Sequence, residues 1–407
     1  MIKLLNLFPL LVILMFGLSC KDKNALITIK EPDLPQQPID YSYKMGINLN
    51  EQVDVTDYND LADSKTKWVR CFVEVIDVYK AGSLNIDPKI AAYNLLKSKG
   101  YKTVLNLKFD FKQNGFPAVN STEWNNYLNF IQPLLAKVMA NTDVLVVGNE
   151  PFIEADQASW NEPLNSFYRA ACERANNYFT LNNIKKPMFL GALDRLDEAN
   201  RQNDPGHNNL LAFVKATPYL AGVDIHSHHA AVELLTSAIN FAKSKIRDNQ
   251  KILVTEFSLM PYWKSNNNAA ISSAFITAAN ASATDRIFTP PANVTTNFQY
   301  IDYALKNPRP AEEWYAFCRN SPYIESRKNY LCAAYNILKN AGNVYLSFYA
   351  LRQSYPLNTD FTATTDPWVL NGLFMNRSVE MLNGRSQKSY SFLDLFLKIA
   401  VDENPCN

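Results

Sequence analysis

Residues 143–160 read D-V-L-V-V-G-N-E-P-F-I-E-A-D-Q-A-S-W. Val144, Leu145, Val146 and Val147 form an unbroken apolar run, the pattern of a parallel strand covered on both faces. Gly148 and Pro151 stop it, leaving Asn149 and Glu150 just past its carboxyl end. A second run, Ile252-Leu253-Val254-Thr255, leads into Glu256 and Phe257. A carboxylate at the tip of a buried strand is poorly solvated, so its proton affinity is readily tuned. Two of them suggest an acid and a nucleophile facing one substrate.

The glutamates stand 106 residues apart. A (β/α)8 barrel spends roughly 31 residues on each strand–helix unit, or more with insertions. Three units therefore separate the two tips, so that if the first is strand 4 of a barrel, the second is strand 7. All eight strands of such a barrel point their carboxyl ends to the same face, so both side chains are expected in one pocket.

The rest of the chain fits that count. Strands are predicted at 45–49, 68–75, 103–109, 144–147, 188–193, 222–226, 252–256 and 344–348. Helical segments at 90–99, 124–139, 164–179, 210–215, 231–245, 328–339 and 390–401 alternate with them, and Gly100 caps the first of these helices. The fold class is α/β, a (β/α)8 TIM barrel over residues 42–407. The step from strand 7 to strand 8 is overlong, which predicts an insertion at about 262–326 on the catalytic face. It carries Trp263, Tyr300, Trp314 and Tyr315, either as binding residues or as a helical cover.

The amino terminus reads as a targeting segment. Lys3 precedes a stretch, 4–18, interrupted only by Asn6, Pro9 and Gly17, and Gly17-Leu18-Ser19-Cys20 follows. This resembles a bacterial lipoprotein signal, residues 1–19, with Cys20 lipidated after cleavage; ordinary secretion is the alternative. Residues 20–41, with Pro32, Pro35 and Pro38, read as a lipid anchor and polar tether. Lys21-Asp22-Lys23 is similar to an export tag of surface lipoproteins. The expectation is an outer-membrane lipoprotein facing the periplasm or the exterior. No later apolar run reaches the roughly 20 residues a spanning helix needs.

A net charge of +1 with no long charge run gives no reason to expect nucleic acid or a polyanion as partner. Aromatic residues at 12% suit sugar stacking and a large core alike. Of the cysteines beyond Cys20, only Cys318 with Cys332 is weighed as a disulfide, Cys71 and Cys172 being expected as packed thiols. The spacing holds no metal-type cysteine motif.

Asn149-Glu150-Pro151 after an apolar strand, with Thr255-Glu256-Phe257 three strands later, resembles the clan A glycoside hydrolases over roughly residues 44–400. The resemblance implies a retaining enzyme with Glu150 as acid/base and Glu256 as nucleophile, their carboxyls about 5 to 5.5 Å apart. It implies that Asn149 binds a sugar 2-hydroxyl and that Arg70 stands beside the nucleophile, although an arginine in a strand can equally be a structural ion pair. His226 or His228, closing strand 6 in I-H-S-H-H, would hydrogen-bond the nucleophile. Their H-x-H spacing also suits a metal, but no third ligand is evident nearby. The strand 8 segment Ser347-Phe348-Tyr349 lacks the tryptophan common in the clan, for which Trp263 or Trp368 can substitute. Among aromatics near strand tips, Trp263 and Trp160 are the preferred sugar platforms.

The expected function is a metal-independent, cofactor-free retaining glycosidase cleaving a β-linked oligo- or polysaccharide, with endo-action favoured. A noncatalytic glycan-binding lipoprotein on the same scaffold is the alternative, and a metal hydrolase built on residues 226–229 is a second.

Overall fold

The structure is a computed structural model that describes residues 39–50, 53–282, 291–353, 360–375, 377–401 and 406. The signal, Cys20 and nearly all of the tether lie outside the described residues. A compact unit begins at Tyr41, whose ring packs edge-on against Tyr345 at 4.9 Å.

Eight strands close into one barrel in chain order: β1 (Lys44–Asn50), β2 (Trp68–Glu74), β3 (Lys102–Lys108), β4 (Val144–Val147), β5 (Met188–Asp194), β6 (Gly222–His228), β7 (Lys251–Ser258) and β8 (Val344–Ala350). Every neighbouring pair is parallel, and β1 pairs with β8 to complete the ring. The strands are buried almost throughout because helices cover the outside while side chains fill the inside.

Local signals set the helices around it. Asp87 caps Pro88–Ser98 by accepting from the amides of Lys89 and Ile90, with Pro88 at the first turn. That helix ends where Gly100 takes a φ of 89°, in the left-handed region. Ser121 caps Thr122–Val138, and Asp204 caps Pro205–Ala216.

The large core lies between strands and helices. A second apolar cluster has no helical member: Trp68, Val104, Val144, Val146, Phe189, Leu253, Tyr345, Leu346 and Phe348. These residues fill the barrel itself. Above this layer, toward the carboxyl ends of the strands, the interior turns polar, with Arg70 two residues beyond Trp68 and Asn106 two beyond Val104.

Between β7 and β8 the described residues form helices Met260–Ser265, Ser273–Ser282, Asn297–Lys306, Ala311–Asn320, Pro322–Glu325 and Tyr330–Asn340. Tyr300 of the third helix packs against Trp314 and Phe317 of the fourth. The cysteine expectation is corrected: Cys332 bonds to Cys406, and Cys318 is a buried free thiol. Cys71 and Cys172 are buried and free. Among the described residues, no helix is long and apolar enough to cross a membrane.

Candidate active site

Arg70 sits inside the barrel with a side chain that is 0% exposed. A buried guanidinium has to spend its five donors. Nε donates to Asn106 Oδ1 at 3.0 Å, Nη1 donates to Asn48 Oδ1 at 3.0 Å and to Glu256 Oε1 at 2.7 Å, and Nη2 donates to Asn149 Oδ1. Asn50 Oδ1 accepts a longer bond from Nη1 at 3.3 Å. The polar partners come from β1, β3, β7 and the end of β4, so the fork ties four parts of the ring together.

Glu256, on β7, keeps 16% of its side chain exposed. Burial alone would raise its pKa, but His226, Arg70 and His228 outweigh it and hold the carboxyl well below the usual range. Glu256 is therefore an anion at neutral pH. His228 Nε2 lies 3.8 Å from its Oε2, and burial lowers that histidine's pKa.

His226 stands between the two glutamates. Its Nδ1 is 3.0 Å from Glu150 Oε1, and its Nε2 is 3.7 Å from Glu256 Oε1 and 2.9 Å from Thr255 Oγ1. Burial works against the charged ring, but Glu256 and Glu150 prevail and raise its pKa. His229, with the opposite alternation, leaves the site. It meets Tyr330 Oη at 3.1 Å, and burial pushes its pKa down to about 3.

Glu150 reaches this cluster through an abrupt turn. Gly148 has a φ of 117°, and a Cβ there would lie 1.8 Å from the Gly191 carbonyl oxygen. Only glycine lets β4 end so close to β5. Glu150 then takes a φ of 45°, a left-handed conformation that costs a non-glycine residue on the order of 1 kcal/mol or more. Its side chain is 21% exposed.

The structure thus brings Glu150, Glu256, Asn149, Arg70, His226 and His228 into one constellation at the carboxyl end of the barrel. It does not bring Trp263 there. That ring is 2% exposed, packs 6.3 Å from Phe392 and lines a small apolar cavity with Trp314. Its expected role as a sugar platform is corrected to core. Trp160 is half-buried, with the Arg201 guanidinium 4.6 Å from its ring centroid and its Nε1 donating to the Ala155 carbonyl. The aromatic beside the site is Trp368, 5.1 Å edge-on from the His228 ring.

Sequence reasoning passed over Asn48, Asn106, Asp224 and Thr255. Asp224 is buried on β6 and accepts from the Thr255 amide at 3.1 Å, the Thr255 hydroxyl at 2.7 Å and Asn106 Nδ2 at 2.9 Å. Burial raises its pKa against the pull of His226, Arg70 and these donors. The available signal was a polar residue inside an otherwise apolar strand, as in V-D-I-H and L-N-L-K.

One metal-ligand grouping exists among the described residues: Glu150, His226 and His228 offer ligand atoms within 4.8 Å of one another. The third ligand that the H-x-H spacing lacked in sequence comes from the end of β4. Such a two-histidine, one-carboxylate set fits a transition metal, though the Arg70 guanidinium 3.5 Å from His226 Nε2 opposes a cation there.

No family model matches this sequence, and no curated protein matches it. Solved structures do. A psychrophilic glycoside hydrolase family 10 endo-β-1,4-xylanase superposes with a TM-score of 0.51 at 13% identity, covering 86% of this chain and 96% of that one. A β-glucosidase from Exiguobacterium marinum gives 0.53 at 8% identity, over 90% of this chain and 99% of that one. The family 1 β-glucosidase of Exiguobacterium antarcticum B7 gives 0.50 at 10% identity, over 84% of each. At such identities the likeness establishes the fold, a closed parallel barrel shared with clan A glycoside hydrolases.

Proposed function

We propose that this chain is a retaining glycoside hydrolase acting on a β-linked glycan, with Glu150 as acid/base and Glu256 as nucleophile. The observation that carries the reading is the Arg70–Glu256 contact at 2.7 Å facing a second glutamate across one imidazole. Retaining hydrolysis needs an ionised carboxylate to attack the anomeric carbon and a nearby carboxylic acid to protonate the leaving oxygen. Arg70 and His226 keep Glu256 charged, while Glu150 sits against a ring nitrogen with which it can share a proton. In this reading Asn149, held by Arg70, binds the 2-hydroxyl, and His228 and Trp368 border the sugar.

The long helical segment between β7 and β8 favours a polymer and endo-action. Residues 1–41 support an outer-membrane lipoprotein anchored at Cys20. The Cys332–Cys406 disulfide suits an oxidising compartment outside the cytoplasm. Purified protein, Glu150→Gln and Glu256→Gln should be screened on a panel of β-glucans, xylans and mannans. Wild type is expected to cut one of them with net retention while each variant loses at least about a hundredfold in kcat. Equal binding by all three with no cleavage would leave a noncatalytic glycan-binding protein instead.

The Glu150–His226–His228 grouping favours a metal-dependent hydrolase as a second reading. Activity that is abolished by chelator and restored by zinc would select it.

A further inference from the structure

We propose that Asp224, acting through the Thr255 hydroxyl, is a positioning residue that keeps the ring N–H of His226 on Nε2, so that Nδ1 presents its lone pair to Glu150. The three side chains Asp224, Thr255 and His226 are fully buried, so their hydrogen bonds have no water to trade with. The Thr255 hydroxyl has one hydrogen and two neighbours that want it: Asp224 Oδ2 at 2.7 Å and His226 Nε2 at 2.9 Å. A carboxylate is the stronger acceptor and makes the shorter contact. Asp224 is held in place by two further donors, the Thr255 amide and Asn106 Nδ2. With its hydrogen committed to Asp224, the hydroxyl can only accept from the ring, which fixes N–H at Nε2.

The opposite nitrogen then faces Glu150 Oε1 at 3.0 Å with a lone pair or a shared proton. Every other charged group facing the ring leaves that axis alone. Arg70, from β2, can only donate, so its 3.5 Å approach favours a lone pair on Nε2, but the Thr255 hydroxyl at 2.9 Å is the much closer partner and prevails. Glu256, from β7, also lies on the Nε2 side. Asp194, the register partner of His226 on β5, is engaged by Arg201 at 3.1 Å. His228 follows on the same strand with Glu256 as its charged neighbour.

In the proposed hydrolysis, which this inference takes as its setting, Glu150 gives its proton to the leaving oxygen, which departs with it, and takes a new proton from the water that attacks in the second step. Nδ1 offers the protonated Glu150 an acceptor before the first step and again after the second. If Asp224 could not accept, the Thr255 hydroxyl would donate to Nε2, the ring proton would move to Nδ1, and Glu150 would be fixed as an acceptor.

Long-range 15N–1H correlation spectra of the full chain test this directly. Only His207, His226, His228 and His229 contribute signals, and His226→Gln identifies the relevant set. The wild type should show the neutral His226 ring with its hydrogen on Nε2 and Nδ1 bare. Asp224→Asn, whose amide donates to Thr255, should transfer the proton to Nδ1. Thr255→Val should lose the Nε2 preference, and Thr255→Ser should retain it, which keeps the test valid if the Asp224 variant does not fold. A wild-type Nδ1–H tautomer, or an unchanged tautomer in both Asp224→Asn and Thr255→Val, overturns the proposal. These spectra need no substrate, so they stand even if no glycan is cleaved. On any glycan that is cleaved, Thr255→Val should lower kcat by about tenfold or more with KM unchanged, and Thr255→Ser should restore it.

Discussion

Arg70 Nη1 donates to Glu256 Oε1 at 2.7 Å, and the same guanidinium also holds Asn48, Asn106 and Asn149. One buried cation therefore sets the charge of the proposed nucleophile and the position of the residue preceding the proposed acid.

This predicts that Arg70→Lys fails as a replacement. A single ammonium cannot occupy the Nε, Nη1 and Nη2 directions at once. Arg70→Met leaves Glu256 as an uncompensated carboxylate, a loss of about 3–5 kcal/mol in comparable buried pairs. Urea unfolding should show Arg70→Met as the less stable variant, and kcat/KM should fall at least about a hundredfold in both. A lysine variant with wild-type kcat/KM would contradict the role given to the fork.

The pH response of stability follows from the lowered Glu256 pKa. The unfolded chain titrates this group near 4.3, and the folded state holds it lower. Its contribution is thus fully present above about 4.3 and drains away as pH falls through the folded value. His226 runs the other way: its raised pKa stabilises below about 6.5, and that share is lost as pH rises through the folded value. Urea midpoints for wild type and Glu256→Gln, taken from pH 7 to 3, should draw closer below about pH 4. A constant gap would count against the ion pair.

Gly148 and Gly82 offer a matched comparison. Both have positive φ, but a Cβ at Gly82 meets nothing within 4 Å, whereas at Gly148 it meets the Gly191 carbonyl. Gly82→Ala should cost about 1 kcal/mol through backbone strain alone. Gly148→Ala adds a clash and should cost on the order of 3 kcal/mol or more, with a loss of activity as Glu150 shifts. Equal melting temperatures for the two variants would remove the close-approach argument.

The Cys332–Cys406 bond closes a separation of 74 residues. Loop-closure entropy for that length corresponds to about 4 kcal/mol, and measured values are commonly 2–4. Cys406→Ser should lower the urea midpoint by that scale, and dithiothreitol should bring wild type to the same value without affecting Cys406→Ser.

Much of this architecture could be read from residue order because a strand buried on both faces leaves an apolar run bounded by turn residues. The predicted 144–147 matches β4, and the other strands differ by a residue or two. The largest drift, two residues, is at the carboxyl ends of β6, β7 and β8, and at the first two the expected ends at His226 and Glu256 came from polarity. The ladder continues, pairing His226 with Glu256 and His228 with Ser258, since backbone pairing is indifferent to side chains aimed into the mouth. Asp224 and Asn106 escaped notice for the same reason: a polar residue that points inward looks, in one dimension, like an interruption. Trp263 and Trp368 show the converse. Either could stand in for the tryptophan that strand 8 lacks, and only packing distinguishes the buried ring from the one beside His228. Cys406 was out of reach because its pairing depends on where the last helix returns the chain.

The charged residues that would do the chemistry are rooted in strands or in the turn directly after β4, whereas Trp368 opens a short 3-10 helix beyond β8. In the proposed function, cutting and recognition are thereby built on separate foundations. Grafting a different stretch into that rim would be expected to redirect which glycan is accepted while the machinery underneath keeps its settings, making the barrel a chassis for engineering new specificities.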